Sequence, residues 1–221
     1  MTTLNFKQFL ESIPETFHKL VVFDFDDTLV FTPPPEEGIP NYEKATGKAW
    51  MIPDKDTALA HGFPKDFRRI GWWGRKETLH PPIFEPSPER LNVPVANALR
   101  GFHADPDTYT VVMTGRVAKA EERVKEILAH YGVHADRYFF QGQKELTQNP
   151  NYPKRQDTFN YKAFVITDVL MGPNIESVEI FDDREEHIPK FVELGENLKK
   201  RWPNLKTVII HDVRQNKIVN I

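Results

Sequence analysis

Short, continuously apolar segments recur along this chain, and that pattern narrows its possible folds more than any other feature. Leu20–Phe23, Tyr109–Met113, Tyr138–Phe140, Val178–Phe181 and Thr207–Ile210 are too short for helices and too apolar for strands with one wet face. Strands of that kind belong to parallel sheets buried on both sides. The stretches between them carry helical periodicity. Residues 94–102 accept Pro94 in the first turn. Residues 117–131 space Val117, Ala120, Val124, Ile127, Leu128 and Tyr131 along one stripe. A third helix is expected over 158–171, capped by Thr158, with Phe159, Ala163, Ile166 and Leu170 apolar. A fourth is expected over 188–201, a short amphipathic helix over 4–13, and a polar loop over 141–157. The expected class is α/β: a Rossmann-like, mostly parallel sheet with helices on both faces, which binds ligands beyond the carboxyl ends of its strands.

From residue 31 to 92 the texture changes. Pro33-Pro34-Pro35, Pro81-Pro82 and Pro86-Ser87-Pro88 interrupt it, and Trp50, Trp72 and Trp73 fall within it. The expected organisation is a core of residues 1–30 and 93–221 with a small cap insertion at 31–92.

Composition excludes several chemistries. The absence of cysteine removes disulfides, thiolate metal sites and cysteine nucleophiles. A net charge of −3 is unlike that of a non-specific nucleic-acid binder, though a local basic pocket remains compatible with it. The start, Asn5-Phe6-Lys7-Gln8-Phe9, is too polar for a signal peptide. No apolar run reaches membrane-spanning length, so a cytoplasmic location without membrane contact is expected.

The ends of three apolar segments carry the chemistry. The first runs into Asp24-Phe25-Asp26-Asp27-Thr28. Positions i and i+2 of extended chain share a side, so Asp24 and Asp26 face the same way. Close carboxylates repel unless a cation relieves them, and hard oxygen donors suit Mg²⁺. One carboxylate can attack phosphorus, and the other can protonate the leaving oxygen and later activate water. The second segment ends in Met113-Thr114-Gly115-Arg116, where a hydroxyl can hold a phosphate oxygen and a glycine allows close backbone approach. The third ends in Asp182-Asp183-Arg184, whose acids can add to a metal site. Between them, Lys162 lies near a helix start, where a cation is favourable only beside an anion; Lys144 and Lys154 compete for the role. The plain alternatives are turn formers, helix caps and surface charges.

In that order the four elements resemble the motifs of the haloacid dehalogenase (HAD) superfamily. The resemblance implies Asp24 as nucleophile, Asp26 as general acid/base, Thr114 as phosphate ligand and Lys162 as the cation steadying both. It implies a Mg²⁺ site from Asp24, the Asp26 carbonyl, Asp182 and Asp183, and a cap between the first two motifs. Met113-Thr114-Gly115-Arg116 and Phe181-Asp182-Asp183-Arg184 are similar to segments of the 3′-phosphatase domain of polynucleotide kinase/phosphatases. Trp72-Trp73-Gly74, Pro81-Pro82-x-Phe84, Thr158-x-x-x-Lys162 and Asp183-Arg184-x-x-His187 resemble the HAD domain of Swiss Army Knife RNA-repair proteins.

These readings lead to a Mg²⁺-dependent phosphomonoesterase acting through an aspartyl-phosphate on a phosphorylated RNA or DNA end. Gly115, Arg116, Arg184 and His187 join Thr114 as substrate-binding candidates. Lys65, Arg68, Arg69, Arg75 and Lys76 beside Trp72 and Trp73 form a candidate backbone-binding surface, although paired tryptophans more often build a core. The alternatives are a phosphatase of nucleotides or sugar phosphates and a catalytically silent binding module.

Overall fold

The computed structural model describes residues 16–50, 72–153 and 157–221. The expected helix at 4–13, Lys154, and the basic positions Lys65, Arg68 and Arg69 lie outside these residues. Six strands form one sheet in the order β3-β2-β1-β4-β5-β6. They are β1 (Lys19–Phe23), β2 (Thr108–Val117), β3 (Arg137–Gln141), β4 (Ser177–Asp182), β5 (Thr207–Asp212) and β6 (Lys217–Asn220). β1 to β5 run parallel, and β6 returns antiparallel along β5. The sequence pattern missed β6. Its Lys-Ile-Val-Asn segment is mostly exposed and lacks the apolar density of a central strand.

The helices are α1 (Pro35–Thr46), α2 (Val93–His103), α3 (Glu121–His130), α4 (Lys144–Thr147), α5 (Thr158–Phe164) and α6 (Ile188–Arg201). Side chains alternate along β1, so Leu20 and Val22 join one apolar cluster, while Val21 and Phe23 join the other on the opposite face. α5 and α6 cover the first cluster with Tyr161, Phe164, Phe191 and Leu198; α2 and α3 cover the second with Val95, Leu99, Val124 and Ile127. No helix among the described residues is long and apolar enough to cross a membrane.

Several boundaries differ from the expectations. β2 continues to Val117, so the following helix starts at Glu121 after a short 3₁₀ turn. The supposed polar loop contains α4. α5 is capped by Asp157, not Thr158: the Asp157 carboxylate accepts from the N–H groups of Phe159 at 2.7 Å and Asn160 at 3.3 Å. Both residues are good caps, and the carboxylate one position earlier satisfies two otherwise orphaned donors. α5 then continues as a π-helix over Val165–Leu170.

The segment between Phe31 and Asn92 builds its own small core from Ile39, Trp50, Trp72 and Ile83. Trp72 is core, as paired tryptophans usually are. It is buried, its indole N–H donates to the Pro33 carbonyl at 2.9 Å, and it packs so closely on Gly38 that a Cβ there would lie 2.4 Å from the ring. Trp73 is half-buried and lies against Arg116 near the carboxyl end of β2.

Candidate active site

β1 and β4 are neighbours in register, with Phe23 opposite Phe181, so the residues that follow them emerge side by side at the carboxyl edge. The Asp24 N–H donates to the Phe181 carbonyl at 2.9 Å, which extends the pairing to the first acid. The chain then folds back through Asp27, whose φ of +56° is left-handed, a conformation Asp tolerates better than most residues. Hydrogen bonds from Leu29 and Val30 to the Phe25 carbonyl close this loop.

Asp24, Asp182 and Asp183 each offer a carboxylate oxygen within 4.8 Å of the others. Lys162 lies between the first two. Its ammonium is 2.9 Å from Asp24 Oδ2 and 2.7 Å from Asp182 Oδ2, and all three groups are buried. Of the two described lysines considered from sequence, Lys162 is brought to the acids, whereas Lys144 is exposed. Asp182 Oδ1 accepts from the Arg184 N–H at 3.0 Å and lies 3.2 Å from His187 Nδ1. Asp183 accepts from the Thr28 hydroxyl at 3.1 Å.

The electrostatics follow from burial and shared cations. Burial raises the Asp24 carboxyl above its ordinary pKa despite Lys162, with Asp182 and Asp26 adding to the rise. Burial works the same way on Asp182, but Lys162 and His187 outweigh it and hold that carboxyl well below the usual range. Burial lowers Lys162, but Asp182 and Asp24 more than reverse this, so the ammonium stays charged. Asp183 makes no ion pair among the described residues. Burial, Asp24 and Asp182 push it up to about 7. Burial and Asp26 push Asp27 to about 6. This is a carboxylate cluster with too little positive charge. The hard oxygen donors of Asp24, Asp182 and Asp183 fit a small divalent cation.

Asp26 points elsewhere, and its side chain is not part of the three-carboxylate group. The Arg116 guanidinium grips it, with Nε at 2.9 and 3.0 Å from its two oxygens and Nη2 at 2.7 Å from Oδ1. The Thr32 hydroxyl donates to it at 2.8 Å, and Thr114 Oγ1 lies 3.4 Å away. Arg116 is buried. Its Nη1 donates to Thr78 Oγ1 at 2.8 Å and to the Trp73 carbonyl at 3.4 Å, and its guanidinium lies 5.5 Å from the Trp73 ring centroid. Arg116 and His187, both read as substrate-binding candidates, are therefore packed inside the protein and hold the carboxylates of Asp26 and Asp182 respectively.

Thr114 is also buried, and its hydroxyl accepts the Arg116 N–H at 3.1 Å. Gly115 is needed for close packing, because a Cβ there would lie 2.7 Å from Thr158 Cγ2. Arg184 is different from Arg116. Its guanidinium makes no hydrogen bond among the described residues. Burial would lower its pKa, but Asp24, Asp182, Asp183 and Asp26 together raise it. It is a cation held near the acids and free to meet an anion. Thr28, which closes the first motif, supports the site, and so do Thr32 and Thr78, which no motif included: Thr78 lies 38 residues from the arginine it binds.

A parallel α/β sheet with acids at two adjacent strand tips and a buried lysine between them has the layout of a HAD-type domain. The chain belongs to the family described as HAD domain family 1 in Swiss Army Knife RNA repair proteins, which it matches over residues 57–220. At family level it is therefore a phosphatase-type hydrolase. The matched region begins after Asp24 and Asp26. Two solved structures are among those it resembles. One is the "Structure of Pnkp1/Rnl/Hen1 complex", at 16% identity and a TM-score of 0.41, covering 86% of this chain and 44% of that one. The other is the "Structure of the Pnkp1/Rnl/Hen1 RNA repair complex", at 16% identity and a TM-score of 0.44, covering 82% and 41%. The chain spans less than half of each. No curated protein matches it.

Proposed function

We propose that this protein is a Mg²⁺-dependent phosphomonoesterase that removes a terminal phosphate from an RNA end. The observation that carries the proposal is the convergence of Asp24, Asp182 and Asp183 around one point, with Lys162 joining the first two. These three carboxylates, with the Asp26 backbone carbonyl, would hold Mg²⁺, which when bound supplies positive charge to the transferring phosphoryl group. A carboxylate oxygen of Asp24 attacks phosphorus, and the ester P–O bond breaks as the aspartyl-phosphate forms. Asp26 gives its proton to the leaving oxygen. It then takes a proton from the water that attacks phosphorus and frees Asp24. Arg184 and the Thr114–Gly115 end of β2 bind phosphate oxygens, and Lys162 neutralises Asp24 before and after attack. Arg116 is a positioning residue that aims Asp26.

Residues 31–92 are read as the cap that selects the substrate, with Thr78 and Trp73 facing Arg116. The choice of RNA draws on the family. The test is a panel of 3′-phosphorylated RNA and DNA oligonucleotides, nucleotides and sugar phosphates, assayed for phosphate release with Mg²⁺. RNA ends should be the best substrates. Preference for a nucleotide or sugar phosphate would move the activity to small molecules, and no release from any substrate or from an aryl phosphate would leave a binding module.

A further inference from the structure

On the face covered by α2 and α3, the edge of the sheet carries aromatic rings in register. Phe23, Phe181 and His211 are consecutive cross-strand partners on β1, β4 and β5. Phe23 and Phe181 stack with centroids 4.5 Å apart and planes 13° apart, and Phe181 and His211 stack at 3.8 Å and 4°. The imidazole is fixed in place. Its Nε2 is 2.7 Å from Glu179, whose other oxygen is 2.5 Å from Lys19 Nζ. The next partner in register is Ile218 on β6, an aliphatic residue left 59% exposed. The stack thus stops at His211 with one ring face turned toward Ile218. There the structure has a cavity of about 370 Å³, walled by His211, Ile218, Val213 and the α2 residues Pro94 and Val95. That volume lies within the roughly 300–1,000 Å³ range of small-ligand sites. Asn92, Asp212, Asn216 and Lys217 also line it and make its wall partly polar.

We propose that this cavity is a second binding site, for a nucleobase that continues the Phe23–Phe181–His211 stack over Ile218. A planar ring suits a parallel aromatic platform, because stacking needs a flat face. Polar groups at the cavity wall suit a heterocycle whose edge must be hydrogen-bonded rather than a plain hydrocarbon ring. The site is close to the catalytic machinery without sharing its side chains. Phe181 directly precedes Asp182 on β4, and the Val213 N–H donates to the Asp182 carbonyl at 3.0 Å. The preference for a nucleobase over other polar planar rings rests on the proposed RNA substrate. The existence of the platform does not.

The test uses phosphate-free probes, which lack the group that the catalytic site is proposed to hold, so that loss of binding in the variants below assigns it to this cavity. Adenosine and uridine are titrated calorimetrically into the full chain, with phenol as a planar ring lacking a base edge. Binding is repeated with His211→Ala and with Ile218→Glu; the second change is at an exposed position and keeps a folded probe available should the first destabilise the protein. The expected result is saturable nucleoside binding at millimolar or lower concentration, at least about tenfold weaker in both variants, with aryl-phosphate hydrolysis unchanged in each. No nucleoside binding up to millimolar concentration overturns the proposal. So does binding of equal strength in the variants, or phenol binding as well as adenosine. Failure of the RNA phosphatase assay with nucleoside binding intact would strike the catalytic proposal alone.

Discussion

Replacing Lys162 with Met, of similar length and no charge, tests the electrostatic core of the site through stability rather than turnover. The ammonium is bonded to two carboxylates, Asp24 and Asp182, and all three groups are buried. Removing one member of a buried ionic set strands the rest, at a cost of about 3–5 kcal/mol. For a chain of this size that is a fall in Tm of roughly 6–20 °C. The loss should depend on pH, and the sign follows from the two acids. In the native protein, Lys162 and His187 hold Asp182 below its ordinary pKa, a stabilisation present above the unfolded value near 3.9 and lost only in acid. In Lys162→Met, burial acts with less opposition and raises both carboxyls, so the folded state is penalised increasingly as pH rises past that value. The gap between the two proteins should therefore widen from pH 5 to pH 8. Urea denaturation in EDTA at both pH values measures it. A gap below about 1 kcal/mol at pH 8, or the same gap at both pH values, refutes the claim that this lysine neutralises the pair.

Asp24→Asn should lower turnover of any phosphomonoester by at least roughly three orders of magnitude, the scale seen when a nucleophile is removed, while circular dichroism stays native. Arg116→Lys cannot make the two-pronged contact with Asp26. It should lower kcat by about 10–100-fold on a substrate with a poor leaving group and much less on an activated aryl phosphate, whose leaving oxygen needs less proton donation; equal losses on both would remove Asp26 positioning as its role. Activity should vanish in EDTA and return with Mg²⁺ but poorly with Ca²⁺, which is larger and takes more ligands; full activity in EDTA would defeat the metal assignment. Asp183, raised to about 7, should make the metal-free protein lose stability as pH climbs from about 4 to 7, and added Mg²⁺ should remove that slope; a flat profile in EDTA would mean the acids are better shielded than the structure implies.

The fold was legible wherever burial repeats at short range. The apolar runs at 20–23, 109–113, 138–140, 178–181 and 207–210 all fall within strands, and the helix expected at 188–201 has the observed bounds. What escaped was set by contacts the local pattern does not encode. β6 exists because a hairpin turn through Asn216, at a φ of +50°, lets Lys217–Asn220 pair with β5. The cap of α5 fell to Asp157 because two adjacent residues were both competent, and tertiary packing committed the second one: Thr158 presses its side chain onto Gly115.

The site divides along the same line. Acids at strand tips are visible in sequence because the strand before them is visible, and Asp24, Asp182 and Asp183 converge as that reasoning requires. The i, i+2 rule that placed Asp26 beside Asp24 assumes extended chain. Here the strand ends at Phe23, and by Asp27 the backbone is left-handed, so the Asp26 side chain turns to Arg116, Thr32 and Thr114. The arginines show the limit most clearly. Arg116 and Arg184 each follow a strand-end motif and look alike as letters. One is buried with its donors spent on an acid and a threonine; the other sits in the field of four carboxylates with no hydrogen bond to its guanidinium among the described residues. Asp26 makes most of that difference, and Thr78, in a segment far along the chain that no periodicity or spacing ties to β2, adds to it.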